Sequence, residues 1–386
     1  MKKLTGPILL AGSAVNCPDI EYITGFRAVD PVIVLQHRRE QYLVVPQLEF
    51  GRAERITREK YSVKNSLHRH GPVIVLTARM LKVKPLKQGK LDEWALKLLN
   101  HQQLRTVQVA SSFPHGIAQR LKQAGIRVTV AVGELFPERA IKTVRELRNI
   151  EESQQAAVIS MRAAVAMIAG SETDDEGYLR IKGKHLTSED VKFTVTKILH
   201  DHNCLCRELI IAGGPHTADP HEMGHGPLRA HELIVIDIFP QHQTHGYWGD
   251  LTRTIVRGSP SHKMKKMYHA VKAAQSAALN RVKPGVNYRT LHRCAVREFE
   301  RRGFKTTVVE GKHVGFIHST GHGVGLEIHE GPSIGTGDGR LKSGNVVTIE
   351  PGLYYPEVGG VRIEDTIVVS PGGWRYLVPC ERKFEV

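Results

Sequence analysis

An α/β protein built from two units is the fold class this sequence predicts, and three observations predict it. The chain has 386 residues, more than one ordinary core holds at roughly 150 residues per domain. Residues 1–140 alternate short apolar runs with helix-spaced segments, the pattern of an α/β layer. A long amphipathic segment from Thr143 to Gly170 then opens a second unit, in which strands lie between four helical stretches, an α+β arrangement.

Within the first unit, strands are expected at 31–35, 41–45, 73–76, 106–110 and 127–130, and helices near 48–59, 91–101 and 114–124, the last stopped by Gly125. The apolar stretch after Met1-Lys2-Lys3 is short and broken by Gly6-Pro7, so it reads as a first strand and not as a leader. His68, His70, His101 and His115 are scattered among basic and loop residues and read as surface histidines. Leu135-Phe136-Pro137-Glu138 reads as a linker and sets the boundary near residue 140.

In the second unit, Val144, Leu147, Ile150, Val158, Met161, Val165 and Ile168 recur at helical spacing. Further helices are expected after Thr187-Ser188-Glu189-Asp190, over 261–282, and over 287–302 up to Gly303. The strand 209–212 leads into a loop holding His216, His221 and His225. Two hairpins follow, 233–239 with 247–256 and 346–354 with 361–369. Each carries two acids, Asp237 and Asp250 on the first, Glu350 and Glu364 on the second, an internal echo of duplicated halves.

Composition narrows the function classes. A hydrophobic content of 41% with 24% charged residues is that of a soluble globular protein, and no run approaches the ~18 apolar residues of a membrane span. Five cysteines without regular spacing suggest reduced thiols and a cytoplasmic setting. The formal charge of +15 is concentrated at the N-terminal end, where residues 1–140 carry 22 Lys and Arg against 11 Asp and Glu. Arg52, Arg55, Arg58, Lys60, Lys82, Lys84, Lys87 and Lys90 supply much of it without interleaved aromatic residues, so a solvated basic surface is expected and not a nucleic-acid site.

Four carboxylates converging without a cation would repel one another, and some would have to hold protons. Two divalent ions remove that conflict and together activate a water. With His322 added to Asp237, Asp250, Glu350 and Glu364, a mainly oxygen donor set with one imidazole suits manganese, cobalt, zinc or iron better than calcium.

Gly-Tyr-Trp-Gly-Asp-Leu-Thr-Arg-Thr (246–254), Ser-Thr-Gly-His-Gly-Val-Gly-Leu-Glu-Ile-His-Glu (319–330), Thr-Ile-Glu-Pro-Gly-Leu-Tyr (348–354) and Gly-Val-Arg-Ile-Glu-Asp-Thr (360–366) resemble the motifs of the pita-bread metallopeptidases. That family includes methionine aminopeptidase, aminopeptidase P and prolidase. The resemblance covers 141–386, while residues 1–140, with Tyr22-Ile-Thr-Gly-Phe26, resemble the smaller creatinase-type domain of the aminopeptidase P and prolidase branch. It implies that Asp237 binds one metal, His322 and Glu350 the other, and Asp250 and Glu364 both, with manganese the expected ion. A metal-bridging hydroxide would attack the scissile carbonyl, with Glu350 as general base. His221 matches a histidine that contacts the reacting amide, His318 and His329 match two that hold substrate and the developing oxyanion, and Arg362 resembles a substrate-binding arginine. The implied activity is Xaa-Pro aminopeptidase, with a prolidase-type dipeptidase as the alternative, a peptide as partner, and a homodimer as the assembly.

Two departures bear on that resemblance. The turn Phe239–His245 sets the two aspartates farther apart than is usual, and Ile238 stands where a small residue often follows the first. Extra residues at a turn tip leave the ligands in place but border the substrate. Two rivals differ in class: a non-peptidase hydrolase or lyase of the creatinase type, and a metal-free binding module. Both are expected to have lost ligands that this chain retains.

Overall fold

The computed structural model describes residues 6–62, 71–83 and 91–386. His68, His70, Lys84, Lys87 and Lys90 lie outside the described residues, as does the side chain of Lys60. The chain divides into two compact units, Met1–Arg139 and Ala140–Val386.

The first unit runs β1 (Ile8–Gly12), α1 (Pro18–Thr24), β2 (Val32–His37), β3 (Glu40–Val45), α2 (Phe50–Ser62), β4 (Val73–Thr77), α3 (Leu91–His101), β5 (Thr106–Val109), α4 (His115–Gln123) and β6 (Arg127–Val130). One six-stranded mixed sheet results, in the order β4-β3-β2-β1-β5-β6. Strand β2 shows why helices cover both faces. Ile33 and Leu35 pack with Leu98 and Leu99 of α3 and Leu121 of α4, whereas Val32 and Val34 pack with Ile20 and Ile23 of α1 and Ala53 of α2. An uninterrupted apolar run is therefore two buried faces read alternately. Helix α1 is an addition to the expected elements; Pro18 sits in its first turn and Gly25, at φ 71°, ends it. Leu135 and Phe136, expected as linker, are buried in the second of these cores. His101 and His115 are exposed.

The second unit begins with α5 (Val144–Ala169) and α6 (Ser188–Asp201), each started by a reciprocal capping box, Thr143 with Glu146 and Thr187 with Asp190. Both pack on a three-stranded antiparallel sheet of β7 (Ile210–Gly213), β8 (Leu233–Ile238) and β9 (Leu251–Val256). Helices α7 (His262–Leu279) and α8 (Tyr288–Arg301) follow. They cover strands of the other half: β10 (Gly321–Gly323), β11 (Glu330–Ile334), β12 (Val346–Ile349), β13 (Gly352–Tyr355), β14 (Gly359–Arg362), β15 (Asp365–Ser370) and β16 (Gly373–Tyr376). Each half is thus a helix pair over sheet. Among the described residues no helix is long and apolar enough to cross a membrane.

The second expected hairpin is divided. Strands β12 and β15 pair inside a five-stranded sheet, while β13 and β14 form a separate two-stranded ladder. The ladder breaks at Glu350-Pro351 on one side and Ile363-Glu364 on the other; a proline cannot donate to a ladder. The first hairpin is shorter than expected as well, since 247–250 stays outside the β8-β9 ladder.

Leu98 is fully buried between α3 and the sheet, so Leu98→Ala is expected to cost about 2–5 kcal/mol of stability, measured by urea unfolding of the whole protein.

Candidate metal centre

The interruptions in both hairpins fall where the acids stand. Asp237 lies next to the end of β8, opposite Thr252, and Asp250 comes one residue before β9. Glu350 and Glu364 occupy the two breaks of the second hairpin. His322 is the middle residue of β10, with glycines on either side that admit neighbouring backbone. Ligand-capable atoms of Asp250, His322 and Glu364 fall within 4.8 Å of one another. Nε2 of His322 lies 3.3 Å from Oε1 of Glu350 and 3.5 Å from Oδ2 of Asp250.

Neutral donors aim these groups. Thr252 donates its hydroxyl to Oε2 of Glu364 at 2.7 Å, and Thr348 donates to Oε1 of Glu350 at 3.3 Å. Gln154, buried on α5, accepts from the Asp250 backbone N–H at 2.8 Å and donates to its carbonyl at 2.9 Å. The Asp250 carbonyl also accepts from Thr366 at 2.8 Å. Arg253 uses all five of its N–H donors, on Asp365 and on the carbonyls of Thr252, Glu364, Cys380 and Glu381.

Two details show that the donors fit a cation. Nδ1 of His322 donates to the Gly323 carbonyl at 3.2 Å, so the neutral ring points the lone pair of Nε2 toward two carboxylates. A lone pair facing carboxylate oxygens calls for a positive charge or a proton between them. Oδ1 of Asp237 is likewise buried with no hydrogen-bond partner among the described residues, an expensive state for an anionic oxygen. Its other oxygen accepts from Nη2 of Arg362 at 2.7 Å.

The electrostatics point the same way. Burial pushes the Asp250 carboxyl well above the usual carboxylate range, and the charges of Glu364, Asp237 and Glu350 push it further. Burial also raises Glu364 well above its ordinary value, with Glu350 and Asp237 adding repulsion. Glu350 is raised by burial, against the opposing pull of His318 and Arg362. Burial lowers His318, His322 and His329.

The flanking residues gather less uniformly. His318 donates from Nδ1 to the Ser319 carbonyl at 2.7 Å and accepts at Nε2 from the Tyr354 hydroxyl at 3.0 Å. Tyr354 in turn accepts from Nη1 of Arg362 at 2.8 Å, and burial pushes its phenol up to about 12. His329 is exposed and stands edge-on to His322, ring centroids 4.3 Å apart. His221 is exposed on the loop after β7 and reaches His318 and His329 only through its charge. Arg362 is buried and committed largely to protein partners, since besides Asp237 and Tyr354 it donates to Thr252 and to the Pro220 carbonyl at 3.3 Å. Thr252, Thr348, Gln154, Arg253 and the role of Tyr354 went unread in the sequence. The threonines did leave a signal, a polar residue two positions from each acid within a buried strand.

Residues 148–371 match the model of metallopeptidase family M24. A curated Xaa-Pro dipeptidase from Pyrococcus horikoshii is 31% identical over 370 residues, covering 95% of this chain and 92% of the relative. The crystal structure of the prolidase from Pyrococcus horikoshii OT3 superposes with a TM-score of 0.76 at 28% identity, over 98% of this chain and 94% of that one. An X-Pro aminopeptidase from Thermotoga maritima superposes at 0.77 with 22% identity over 99% and 97%, a likeness of fold. Fold and site therefore define a metal-dependent peptidase on the pita-bread fold. The chain belongs to metallopeptidase family M24.

The raised carboxyls carry a sign. A carboxyl that holds its proton more tightly folded than unfolded contributes stability below its unfolded pKa of about 4, and that contribution is lost as pH rises through the folded value. Metal-free protein is therefore expected to weaken from acid toward neutral pH through Asp250, Glu350 and Glu364. Added manganese should raise the melting temperature more at pH 8 than at pH 5.5, which differential scanning fluorimetry at both pH values will read. A larger gain at pH 5.5 would contradict this assignment.

Proposed function

We propose that the chain hydrolyses Xaa-Pro bonds with two divalent ions, manganese foremost, and that Xaa-Pro dipeptides are its leading substrates. The observation that carries the reading is the convergence of Asp250, His322 and Glu364, with Glu350 alongside. The dipeptide preference draws its support from the relative named Xaa-Pro dipeptidase, which aligns over nearly the whole chain. In this reading Asp237, Asp250, His322, Glu350 and Glu364 hold the ions, and residues 1–140 form a creatinase-type domain beside the catalytic domain 141–386. When bound, such ions supply an activated water and polarise the scissile carbonyl.

The remaining chemistry belongs to side chains. Glu350, whose carboxyl burial raises toward neutrality, takes and returns the proton of the attacking water. His318 and His329 face the carbonyl oxygen as charge develops on it, and His221 meets the departing nitrogen. Arg362 orients substrate through Tyr354 and His318, because most of its own donors are engaged. Proline's imide nitrogen has no hydrogen to donate, which sets such bonds apart from ordinary amides. Five cysteines, none joined in a disulfide, support a reducing cytoplasmic setting, and light scattering will test the expected homodimer.

Purified protein stripped with a chelator should lose cleavage of Ala-Pro and regain it with manganese or cobalt. Ala-Pro should be cleaved faster than Ala-Pro-Ala, and Ala-Ala hardly at all; faster cleavage of the tripeptide would select the aminopeptidase reading. Failure of both metals to restore any cleavage would sink the proposal. Separately, Glu364→Gln should retain one ion fewer than wild type by elemental analysis, while His318→Ala should keep both ions and lose about 10²-fold in kcat. Unchanged ion content in Glu364→Gln would remove that residue from the proposed ligand set.

A further inference from the structure

The long turn between the two aspartates carries His242 and His245, which peptide hydrolysis does not employ. Their rings lie parallel, with centroids 3.8 Å apart and planes 4° from coincidence. Nε2 of His245 is 3.3 Å from Oε2 of Glu152 on α5. One ligand-capable atom from each of the three lies within 4.8 Å of the others. We propose that Glu152, His242 and His245 form a binding site for a further divalent transition ion, zinc being the best match, separate from the Asp250–His322–Glu364 cluster.

The donor set argues for the class of ion. Two imidazoles with one carboxylate are three of the four ligands of a tetrahedral zinc site, water supplying the fourth. Calcium and magnesium favour all-oxygen surroundings and are poorly matched. A simple ion pair between His245 and Glu152 leaves the second ring unexplained, since two imidazolium ions stacked at this distance would repel. A shared cation uses both rings and the carboxylate together.

The frame around the histidines is already built. Gln241 and His242 form a two-residue strand paired with Cys204 and Leu205. Gln243 donates its backbone N–H to the Asn203 carbonyl at 2.9 Å, and the Asn203 side chain donates to the Thr244 hydroxyl at 2.8 Å. Gln241 closes the turn by donating to the Gly246 carbonyl at 2.9 Å. Backbone held on both sides limits what ordering the site would cost. The Glu152 side chain is 62% exposed, which opens a path for the ion from solvent.

Proton placement sets a condition on binding. Nδ1 of His242 accepts the Thr244 N–H, and Nδ1 of His245 accepts the Tyr247 N–H, both at 3.2 Å. The neutral rings therefore carry their protons on Nε2. To ligate through Nε2, each ring moves that proton to Nδ1 by way of solvent, giving up one long backbone hydrogen bond. Each such bond is worth about 1 kcal/mol, far less than a zinc–imidazole bond contributes.

Binding would also tie the turn to α5 immediately before Ser153 and Gln154. Ser153 donates to the Tyr247 carbonyl at 2.9 Å, and Gln154 holds both backbone groups of Asp250. The further ion would thus brace the segment that places Asp250.

The test uses full-length, tag-free protein loaded with manganese and freed of excess metal. Zinc chloride alone is titrated, and bound zinc and manganese are counted separately by elemental analysis after gel filtration. Wild type is expected to hold one ion more than His242→Ala/His245→Ala, and Glu152→Gln to bind that ion about 10-fold or more weakly, the scale of a lost metal-site partner. Ala-Pro cleavage without added zinc should be the same in all three. Equal total ion content in wild type and the double variant would overturn the proposal, as would zinc uptake matched one for one by manganese loss. Should the double variant melt early without zinc, Glu152→Gln, altered only at an exposed carboxylate, gives the decisive comparison: undiminished zinc affinity there overturns the site. Ion counting does not depend on cleavage, so failure here is distinguishable from failure of the peptidase reading.

Discussion

Mutual repulsion among four buried carboxylates is the constraint around which the second unit is arranged. Asp237, Asp250 and Glu364 are each less than a tenth exposed, and only Arg362 among nearby side chains offers a full positive charge to any of them. Burial and repulsion act together to keep Asp250 and Glu364 protonated above their ordinary range. The hydroxyls of Thr252 and Thr348 and the amide of Gln154 orient acids and backbone without cancelling charge. A fold that surrounds anions with neutral donors leaves their charge available to cations. Had those positions been arginines, the acids would be neutralised within the protein and the cluster would be structural.

Arg253 shows how a charge is used where neutralisation is wanted. Its guanidinium is 2% exposed, pairs with Asp365 at 2.7 Å, and bonds the carbonyls of Thr252 and Glu364 from opposite hairpins. Asp365 is also met by Arg382 at 2.6 Å and by the Gln275 amide at 2.9 Å. Neighbouring acids in one strand thus meet opposite fates: Asp365 is saturated with cations, while Glu364, one residue earlier, receives a threonine hydroxyl. The alternation of a β-strand accounts for the difference, because successive side chains point to opposite faces. One face looks into the cluster and the other into the seam between the halves.

Much of this was legible in the sequence wherever periodicity and charge agree. Apolar runs located the strands of both units, and acids placed at the ends of such runs, Asp237 and Glu350 above all, pointed to a shared cation before any geometry was known. What escaped has physical reasons. The divided second hairpin follows from Pro351 and from Glu364 turning out of the ladder, and a long alternating run conceals such a break. Thr252 and Thr348 look like ordinary strand residues because threonine suits strands whatever its hydroxyl does. Leu135 and Phe136 resembled a linker because a proline follows them, yet their side chains complete a core whose other members lie more than ninety residues earlier in the chain. Arg362 was read as a substrate contact, and in the fold its hydrogen bonds go first to Asp237 and Tyr354.

The segment between the turn and β9 connects these observations. Residues 247–250 belong to no ladder, so their backbone groups need partners from elsewhere. Ser153 and Gln154 supply them from a helix whose neighbouring buried positions are alanine and isoleucine. Gly249 lets the helix come close enough, since a side chain there would bring a Cβ to 2.7 Å from the Gln154 backbone nitrogen. Two polar residues on an otherwise apolar helix face would be a liability in an ordinary core. Here they are the reason Asp250 can leave the sheet, turn toward His322 and Glu364, and still have its backbone satisfied. The position of an acid central to the site is therefore set from a helix nearly a hundred residues upstream, and the histidine turn shares that same helical anchor.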